Sequence, residues 1–354
     1  PDWFNCKPLT KISRGGQRRA GTAVNLGTFD TLPTLMKFPL LSGLFASALL
    51  SLAAHAETAI VLNSVDENVS FIDTRTYKET GKAPACKEPH HLMATPDDSS
   101  VIVACALSNE LVFFDPKTGK EQKRIKNISD PYQLGFSPDN KWFVANSLRL
   151  DRVDLYNAAD FSLVARVSAE KTPSHMAFDK ASQFVFITLQ DSNEVLTIDL
   201  KTRQPLWKIP VGPTPAGIHM TPDDKYLLVG IMGANYVEVI DWRARKTIRK
   251  IITDKAAHNF LPRGDGRHVF VSNRSMNGSI SLVDMQTLTE VEKYDVPGGP
   301  DDMEIRADGK ELWATARFAR KVQVVNLEQK KLSHSIPVGR SPHGVSFISH
   351  AARQ

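Results

Sequence analysis

The sequence predicts an all-β protein, a seven-bladed β-propeller built from four-stranded blades of about 42 residues. Three observations support this fold class. Two kinds of marker residue recur along the chain with one shared spacing, and each repeat holds four β-rich runs separated by turn residues. No segment shows sustained helical periodicity.

The repeat is defined by two ladders of residues in the same register. A proline, once replaced by alanine, opens a short apolar stretch, and an Asp or Asn ends a later β-rich run. The opening residues are Pro89, Pro131, Pro173, Pro215, Ala257, Pro300 and Pro342. The closing residues are Asp73, Asp115, Asn157, Asp199, Asp241, Asp284 and Asn326. Both ladders are spaced by 42, 42, 42, 42, 43 and 42 residues, and the shared single insertion indicates a structural repeat.

Each repeat predicts four strands. In the unit that opens at Pro215, the sequence predicts an inner strand and turn in PAGIHMTPDD, a second strand in YLLVGIM, a third in YVEVIDW and a fourth in TIRKIIT. Turns such as Pro-Asp-Asp and Gly-Asp-Gly join the first two strands as a hairpin. We expect the Asp/Asn ladder to cap the turn after the third strand by Asx-type hydrogen bonding, which is a structural role.

The two ends of the chain predict how the ring closes. The β-rich run at 58–63 corresponds to a second strand of a repeat, whereas the run at 342–347 corresponds to an inner strand. We therefore expect the C-terminal strand to complete the first blade, which leaves no open sheet edge. The predicted propeller is one domain over residues 57–350.

The segment before the repeats is typical of a secretory signal peptide. Residues 36–56 read MKFPLLSGLFASALLSLAAHA, with a positive start, an apolar run and the small-x-small sequence Ala54-His55-Ala56. The run is Ser-rich and short against the roughly 20 apolar residues that a membrane span needs, so we expect no transmembrane anchor. We expect cleavage near Ala56 and a periplasmic or secreted protein. Residues 1–35 are expected to be a disordered, non-native upstream extension, with Met36 as the true start.

Charge gives no support for nucleic-acid binding. The whole sequence has 44 Lys and Arg residues against 39 Asp and Glu residues. Residues 1–56 hold six of the former and two of the latter, which leaves 44 − 6 = 38 basic and 39 − 2 = 37 acidic residues, a net charge of +1, in the expected mature chain. We expect this mature chain to be a monomer.

Two cysteines, Cys86 and Cys105, follow residue 56. If the first two strands of that repeat pair, both cysteines lie at the same end of the hairpin, and either a disulfide or two buried free thiols fits. The sequence has no C-x-x-C-H motif, so covalently attached c-type haem is not expected.

The candidate site is the mouth of the central channel, where the two positions after each opening residue should converge. In chain order these positions hold His90, His91, Tyr132, Gln133, Ser174, His175, Ala216, Gly217, His258, Asn259, Asp301, Asp302, His343 and Gly344. Five of the nine histidines after residue 56 occupy them, where random placement predicts fewer than one. Strand alternation would point the carboxylates of Asp301 and Asp302 to opposite sides, which argues against a paired acid/base device.

Loops between the second and third strands open on the same face and carry arginines. They contribute Arg149, Arg152, Arg274, Arg317 and Arg320, with Arg340 nearby. Guanidinium groups suit carboxylates and phosphates. The first interpretation is therefore a scaffold whose solvent-exposed mouth binds a small anion, protein, peptide or glycan.

Other interpretations remain open. His90, His91, His175, His258 and His343 are of the type that binds a divalent metal or a haem-type tetrapyrrole, which would suit a redox or cofactor-maturation protein. A metal-dependent hydrolase or lactonase would need a mouth richer in carboxylates. We find no phosphate-binding loop, no H-E-x-x-H, no G-x-S-x-G and no nucleophile beside a base, so no catalytic residue is assigned.

The repeats AIVLNSVDENVSFIDTRT, FVFITLQDSNEVLTIDLKT and IPVGRSPHGVSF resemble the YVTN-type β-propeller repeat. The resemblance covers the whole chain after the signal segment and implies the fold; members of that family serve as surface, periplasmic and cofactor-binding proteins alike. Ala257, Asn157 and Asn326 depart from its pattern. The His- and Arg-bearing mouth is also similar, in architecture and residue type, to the haem d1-binding propellers of dihaem nitrite reductases and their maturation proteins. Those reductase propellers have eight blades, and no matched motif assigns a ligand residue here.

Overall fold

The described part of the protein consists entirely of strands, turns and loops. In a computed structural model that describes residues 57–351, 28 strands form seven four-stranded antiparallel sheets. The predicted all-β fold and the number of blades are thereby confirmed. Within the same range, no helix that could cross a membrane is found.

The first four blades follow one another along the chain, and only blade 1 also contains a strand from the C-terminal end. Blade 1 contains β1 (Thr58–Asn63), β2 (Asn68–Asp73), β3 (Lys78–Pro84) and, as its inner strand, β28 (Pro342–Ser346). Blade 2 contains β4 (Pro89–Ala94), β5 (Val101–Cys105), β6 (Glu110–Phe114) and β7 (Glu121–Lys126). Blade 3 contains β8 (Pro131–Phe136), β9 (Trp142–Ser147), β10 (Arg152–Asn157) and β11 (Leu163–Ser168). Blade 4 contains β12 (Pro173–Phe178), β13 (Phe184–Leu189), β14 (Glu194–Asp199) and β15 (Gln204–Pro210).

The remaining three blades have the same order of strands. Blade 5 contains β16 (Pro215–Met220), β17 (Tyr226–Ile231), β18 (Tyr236–Asp241) and β19 (Lys246–Ile252). Blade 6 contains β20 (Ala257–Pro262), β21 (His268–Asn273), β22 (Ser279–Asp284) and β23 (Thr289–Asp295). Blade 7 contains β24 (Pro300–Ile305), β25 (Glu311–Ala316), β26 (Lys321–Asn326) and β27 (Lys331–Pro337).

The ring closes through the C-terminal strand, as the sequence predicts. β28 pairs antiparallel with β1, so that Val345 lies opposite Val61 and Gly344 opposite Leu62. The same strand contacts β24 of blade 7 and β4 of blade 2. Because β28 comes from the far end of the chain, this pairing joins the two ends of the propeller.

The hydrophobic core lies between neighbouring blades. Leu62 of blade 1, for example, belongs to one buried cluster with Leu92, Val103 and Phe114 of blade 2. The three inner strands of a blade supply these buried residues, whereas the fourth strand is mostly exposed; β17 is buried at five of six positions and β19 at one of seven. β-branched and aromatic side chains on pleated faces stabilise this packing.

The Asp/Asn ladder has the capping role expected of it. The Oδ1 atom of each ladder residue accepts a hydrogen bond from a backbone N–H two or three residues later. Asp73, for example, accepts from Arg75 and Thr76 at 2.9 and 2.8 Å. These side chains hold the turn between the third and fourth strands and are not available to a ligand.

A disulfide joins Cys86 to Cys105, with their Cα atoms 5.8 Å apart. Cys105 lies opposite Pro89 in the pairing of β5 with β4. The bridge therefore ties the loop before β4 to the end of β5, next to His90 and His91. The expected signal peptide at 36–56 and the expected extension at 1–35 lie outside the described residues.

Candidate functional site

The opening residues bring their neighbours to one mouth of the channel through a repeated irregularity in strand pairing. In blade 5, Pro215 lies opposite Ile231, but the next pair is Ile218 with Val229, so that 216 and 217 together face a single residue. The same shift follows the opening residue in blades 2, 3, 4, 6 and 7. Such a bulge re-aims side chains and interrupts simple alternation.

Six side chains from six blades form a closed series of contacts, which we call the mouth circuit: His90, Tyr132, His175, His258, Asp301 and His343. His90 stacks on Tyr132 with ring centroids 3.8 Å apart and lies 4.0 Å from His343. Tyr132 meets His175 edge to face at 6.2 Å, and His175 meets His258 at 5.2 Å. Asp301 completes the circuit, with Oδ1 3.0 Å from Nδ1 of His258 and Oδ2 3.7 Å from Nε2 of His343.

Blade 5 contributes no side chain to the mouth circuit, and its small residues allow the circuit to close. His175 of blade 4 and His258 of blade 6 meet past Ala216 and Gly217. A Cβ atom on Gly217 would lie only 2.0 Å from the carbonyl oxygen of His258. The close approach of the His258 backbone therefore requires that residue 217 has no side chain.

Asp301 is the acceptor on which two arginines converge. Its Oδ2 atom lies 3.4 Å from Nη1 of Arg274 and 3.3 Å from Nη1 of Arg317. Arg317 also donates through Nε to Oγ of Ser341, and Nη2 of Arg274 lies 3.0 Å from Sδ of Met232. Burial opposes ionisation of Asp301, but the permanent positive charge of Arg274 favours it, and the pKa of this carboxyl is held well below the usual value.

The mouth histidines are neutral near pH 7. Burial, reinforced by Arg317, lowers the pKa of His90 to about 3, and burial with Arg274 lowers that of His258 to about 4. Burial also holds the pKa values of His91, His175 and His343 well below the usual value. Removal of an imidazolium from water disfavours its charge, so these rings act as polar, uncharged groups.

Asp302 follows Asp301 in sequence, and the pKa of its carboxyl is shifted in the opposite direction. Its Oδ1 accepts the N–H of Met303, and burial raises the pKa of its carboxyl to about 7. With Asp302 protonated, the two arginines and Asp301 leave a net charge of 2 − 1 = +1; with Asp302 ionised, the charge is 2 − 2 = 0. The mouth is therefore most favourable to an anion below neutral pH.

The structure separates the other sequence-predicted residues from the mouth circuit. Arg149 is bound by Asp130 and Glu88, Arg152 by Asp154 and Arg340 by Asp66, while Arg320 is exposed. The Oε1 atom of Gln133 accepts a hydrogen bond from the N–H of Met176 at 2.6 Å. The N–H of Asn259 donates to Ser272, and the side chain of His91 is buried. Of the six loop arginines, only Arg274 and Arg317 reach Asp301.

The expectation of a solvent-exposed mouth is wrong for most of its residues. His258 is 1% exposed, His343 6% and Asp301 0%. The rings are covered because they pack on one another. Met232 and Ser341, which contact the two arginines, were not found by sequence reasoning; both lie outside the two positions after an opening residue, and no signal in the repeat identifies them.

A metal ion does not fit this arrangement. Among residues 57–351, no three His, Cys, Asp or Glu side chains are placed to bind one. The ring planes of His90 and His343 are tilted by 50°, and those of His175 and His258 by 88°, so these imidazoles contact one another through their rings. The contacts observed at the mouth are hydrogen bonds, ion pairs and ring contacts.

A second cleft, of about 430 Å³, lies at the opposite end of the strands. Its lining residues are Phe184, Leu206, Trp207, Trp242, Arg243 and Arg245. Arg245 of blade 5 covers Trp207 of blade 4 at 5.2 Å, as Tyr77 of blade 1 covers His334 of blade 7 at 3.6 Å. Arg245 and Tyr77 occupy equivalent positions in their repeats, and so do Trp207 and His334. The contact between Arg245 and Trp207 is therefore part of the regular packing between neighbouring blades.

Comparisons with known proteins agree on the fold. The family model described as YNCE-like beta-propeller matches residues 31–353. Similar solved structures include a functionally unknown protein from Desulfotomaculum acetoxidans (15% identity, 82% of this chain and 99% of that chain, TM-score 0.71). A second is dihydro-heme d1 dehydrogenase NirN in complex with DHE, with 15% identity over 82% of this chain and 74% of that chain and a TM-score of 0.61. A third is a putative 6-phosphogluconolactonase from Bacteroides uniformis, with 16% identity over 83% of this chain and 100% of that chain and a TM-score of 0.66. At these identities the likeness extends to the fold alone, and no curated protein matches the sequence significantly.

Proposed function

The chain belongs to the YNCE-like β-propeller family, and we propose that it is an exported binding protein that holds an anionic ligand at the mouth of its channel. No catalytic role is assigned to any residue. The proposal names Arg274 and Arg317 as the residues that bind the anion and the mouth circuit as the frame that holds them.

One observation carries this proposal: two guanidinium groups share a single carboxylate oxygen, Oδ2 of Asp301. Each arginine reaches that oxygen through one nitrogen, although a guanidinium has five N–H donors and binds carboxylates best through two. Their side chains are 17% and 28% exposed, so part of each fork faces outward. A carboxylate or phosphate of a ligand would use these donors and would offset the excess positive charge.

The neutral histidines support the same function. If they were charged, the mouth would repel the arginines; as uncharged rings they fill the channel and fix the position of Asp301. The Nδ1 atom of His343 is buried and has no hydrogen-bond partner among the described residues. It offers one further polar contact to a ligand that displaces a neighbouring ring.

A haem-type tetrapyrrole fits the mouth less well. Neutral imidazole is a suitable axial ligand, and one structural neighbour is a haem d1 protein. Here, however, His90 contacts both Tyr132 and His343 at about 4 Å, so it would have to leave both rings to reach an iron. A visible spectrum after incubation with haem separates the two functions, because a Soret band that is lost in His90→Ala would contradict the anion-binding proposal.

Export is supported by two independent features. The pattern in residues 36–56 is that of a signal peptide, and the Cys86–Cys105 disulfide is of a kind that persists in oxidising compartments. Fractionation of expressing cells followed by N-terminal sequencing tests this part. We expect a periplasmic or secreted chain that begins at Glu57, and a full-length cytoplasmic chain would contradict export.

Ligand binding is tested by calorimetric titration of the protein with acetate, succinate, citrate, inorganic phosphate and sulfate. We expect binding of at least one of these anions, with Arg274→Gln and Arg317→Gln each weakening it about tenfold, which corresponds to about 1.4 kcal/mol. Arg320→Gln is the matched control, because Arg320 lies in the same loop as Arg317 but is exposed. Equal binding by the wild type and Arg317→Gln, or no binding of any anion, would contradict the proposal. Circular dichroism verifies that each variant is folded.

A further inference from the structure

The mouth face carries a second feature, a set of exposed apolar side chains. Eleven large apolar residues within 57–351 are strongly exposed, and they fall into two groups. Six lie on fourth strands, at the rim of the disc: Leu163, Val164, Leu206, Ile248, Ile252 and Val291. The other five lie in loops between second and third strands, on the mouth face: Val65, Leu107, Leu150, Met276 and Phe318.

The five loop residues come from five consecutive blades. Met276 belongs to blade 6, Phe318 to blade 7, Val65 to blade 1, Leu107 to blade 2 and Leu150 to blade 3. Because β28 joins blade 7 to blade 1, these loops are neighbours around the ring, and we call the five residues the apolar arc. Each is between 47% and 63% exposed.

The corresponding loops of blades 4 and 5 lack such a residue. Blade 4 has Gln-Asp-Ser-Asn at 190–193, and blade 5 has Met-Gly-Ala-Asn at 232–235, where Met232 is half-buried beside Arg274. A single exposed apolar residue is ordinary on a protein surface. One in each of five adjacent loops, around a polar centre, is the arrangement of a binding surface that combines apolar and charged contacts.

The apolar arc and the anion-binding arginines share two loops. Arg274 lies two residues before Met276, and Arg317 directly precedes Phe318. A small free anion would contact the guanidinium groups alone. A ligand that used the whole surface would place a carboxylate at the arginines and apolar groups on the flanking loops.

We propose that the mouth face binds an acidic protein segment, in which one carboxylate reaches Arg274 and Arg317 while apolar side chains on either side of it contact the apolar arc. The inference rests on the proposed anion-binding function and names the class of ligand for that site. Charge complementarity favours an acidic partner over a neutral one. The arc consists of single side chains on separate loops around a charged centre, which favours a protein segment over a membrane surface, because membrane insertion needs a continuous apolar patch.

The probes are three capped pentapeptides, measured by fluorescence polarisation against the full chain: Leu-Phe-Asp-Phe-Leu, Leu-Phe-Asn-Phe-Leu and Gly-Gly-Asp-Gly-Gly. We expect the first to bind at least tenfold more tightly than either of the others. We expect the double variant Met276→Ser/Phe318→Ser to weaken its binding at least tenfold. The matched control is Ile252→Ser/Val291→Ser, which removes two apolar side chains of similar exposure from outer strands and should leave binding unchanged.

Each result decides the inference. The double variant Met276→Ser/Phe318→Ser should bind succinate as the wild type does but no longer bind the peptide Leu-Phe-Asp-Phe-Leu. This result would support both the anion site and the protein ligand. Equal binding of the first and third peptides overturns the acidic-segment inference and leaves the anion site intact, whereas equal binding of the first two overturns the role of the carboxylate. Binding to phosphatidylglycerol vesicles without binding to any peptide also overturns the inference, because the ligand would then be a membrane surface. If neither peptides nor small anions bind, the proposed function itself has failed.

Discussion

The Nδ1 atom of His258 lies 3.0 Å from Oδ1 of Asp301, and both side chains are almost fully buried. The distance between these two atoms is within hydrogen-bonding range. Arg274 and Arg317 approach the other oxygen of the same carboxylate. A neutral imidazole on one side and two permanent cations on the other therefore share one negative charge, and this balance decides how the mouth responds to acid.

We predict that acid destabilises the protein through His258. Burial lowers its folded-state pKa to about 4 from an ordinary value near 6.5, so between these values the unfolded state binds the additional proton. The free energy of unfolding should therefore fall as pH falls through this window. From pH 7 to pH 5 the loss due to this histidine is about 2 kcal/mol.

The test compares urea unfolding of the wild type and His258→Asn from pH 7 to pH 5. Asparagine retains an N–H donor near the position of Nδ1 but does not titrate, so the variant should lose less stability over this range. His268→Asn is the control, because His268 is half-buried at the start of β21, outside the mouth circuit, and pairs with Asp265. Parallel stability curves for the wild type and His258→Asn would contradict the prediction.

Asp302 should have the opposite dependence on pH. Burial raises its folded-state pKa to about 7 from 3.8, so between these values the folded state retains a proton that the unfolded state has lost. The contribution of this residue to stability falls as pH rises from about 4 to about 7 and is constant above. Asp302→Asn removes this dependence, and its stability relative to the wild type should increase by about 4 kcal/mol across the window.

Guanidinium unfolding at pH 4, 5.5, 7 and 8 measures this difference. The control is Asp97→Asn, because a hydrogen bond from Thr95 lowers the pKa of Asp97, and burial only partly opposes it. A lowered carboxyl pKa contributes stability above 3.8 that is lost as pH falls, so the control should be relatively less stable at neutral pH. A pH-independent difference between Asp302→Asn and the wild type would show that Asp302 is ionised throughout.

Gly217 should not tolerate a side chain. Its Cβ would meet the backbone carbonyl oxygen and carbon of His258 at 2.0 and 3.0 Å, and a backbone group cannot rotate away as a flexible side chain can. We predict that Gly217→Ala lowers the free energy of unfolding by about 3 kcal/mol, in the upper range for overpacking. Gly81→Ala, on the outer strand β3, is the matched control, because nothing lies within 4 Å of its Cβ position and removal of a strand glycine is neutral or slightly stabilising.

Thermal melts of both glycine variants, followed by circular dichroism, measure this prediction. With the protein folded, Gly217→Ala should also disturb the contact between His175 and His258 and so weaken anion binding. Equal melting temperatures for the two variants would show that blade 5 moves away from blade 6 at little cost.

The fold could be predicted because strand order and turn chemistry repeat in the sequence with a fixed register. Pro89 and Asp73 each belong to a seven-member ladder, and every member has the role that its position implies. The convergence of His90, His258 and Asp301 followed from the same register. The repeat alone predicts where these residues lie in the propeller, because equivalent positions in every blade have equivalent places in the ring.

The detailed contacts of the site could not be predicted, because they depend on neighbours from other blades. Arg149 and Arg317 follow equivalent strands, but Asp130 and Glu88 bind the first while Asp301 binds the second. His175 occupies the second position after its opening residue and still joins the mouth circuit, because Ala216 and Gly217 leave space for it. A bulge also follows the opening residue before Asp301 and Asp302, so strand alternation alone does not fix the directions of these two carboxylates.

Closure of the ring by β28 predicts that the C-terminal strand is essential for stability. β28 pairs with β1, and its Val345 is buried, as is Phe347 directly after it. The burial of these two side chains is worth about 1.5–3 kcal/mol each, and loss of the strand would also expose the edge of blade 1. We expect a chain that ends at residue 341 to melt at least about 10 °C below the full chain, or not to fold, since 1 kcal/mol corresponds to about 2–4 °C for a domain of this size.

A synthetic peptide of residues 342–354 should restore part of this loss when added in excess, whereas the same peptide with Val345→Asp should not, because it would bury an unpaired carboxylate. A truncated chain with an unchanged melting temperature would show that the other six inner strands hold the ring without this strand.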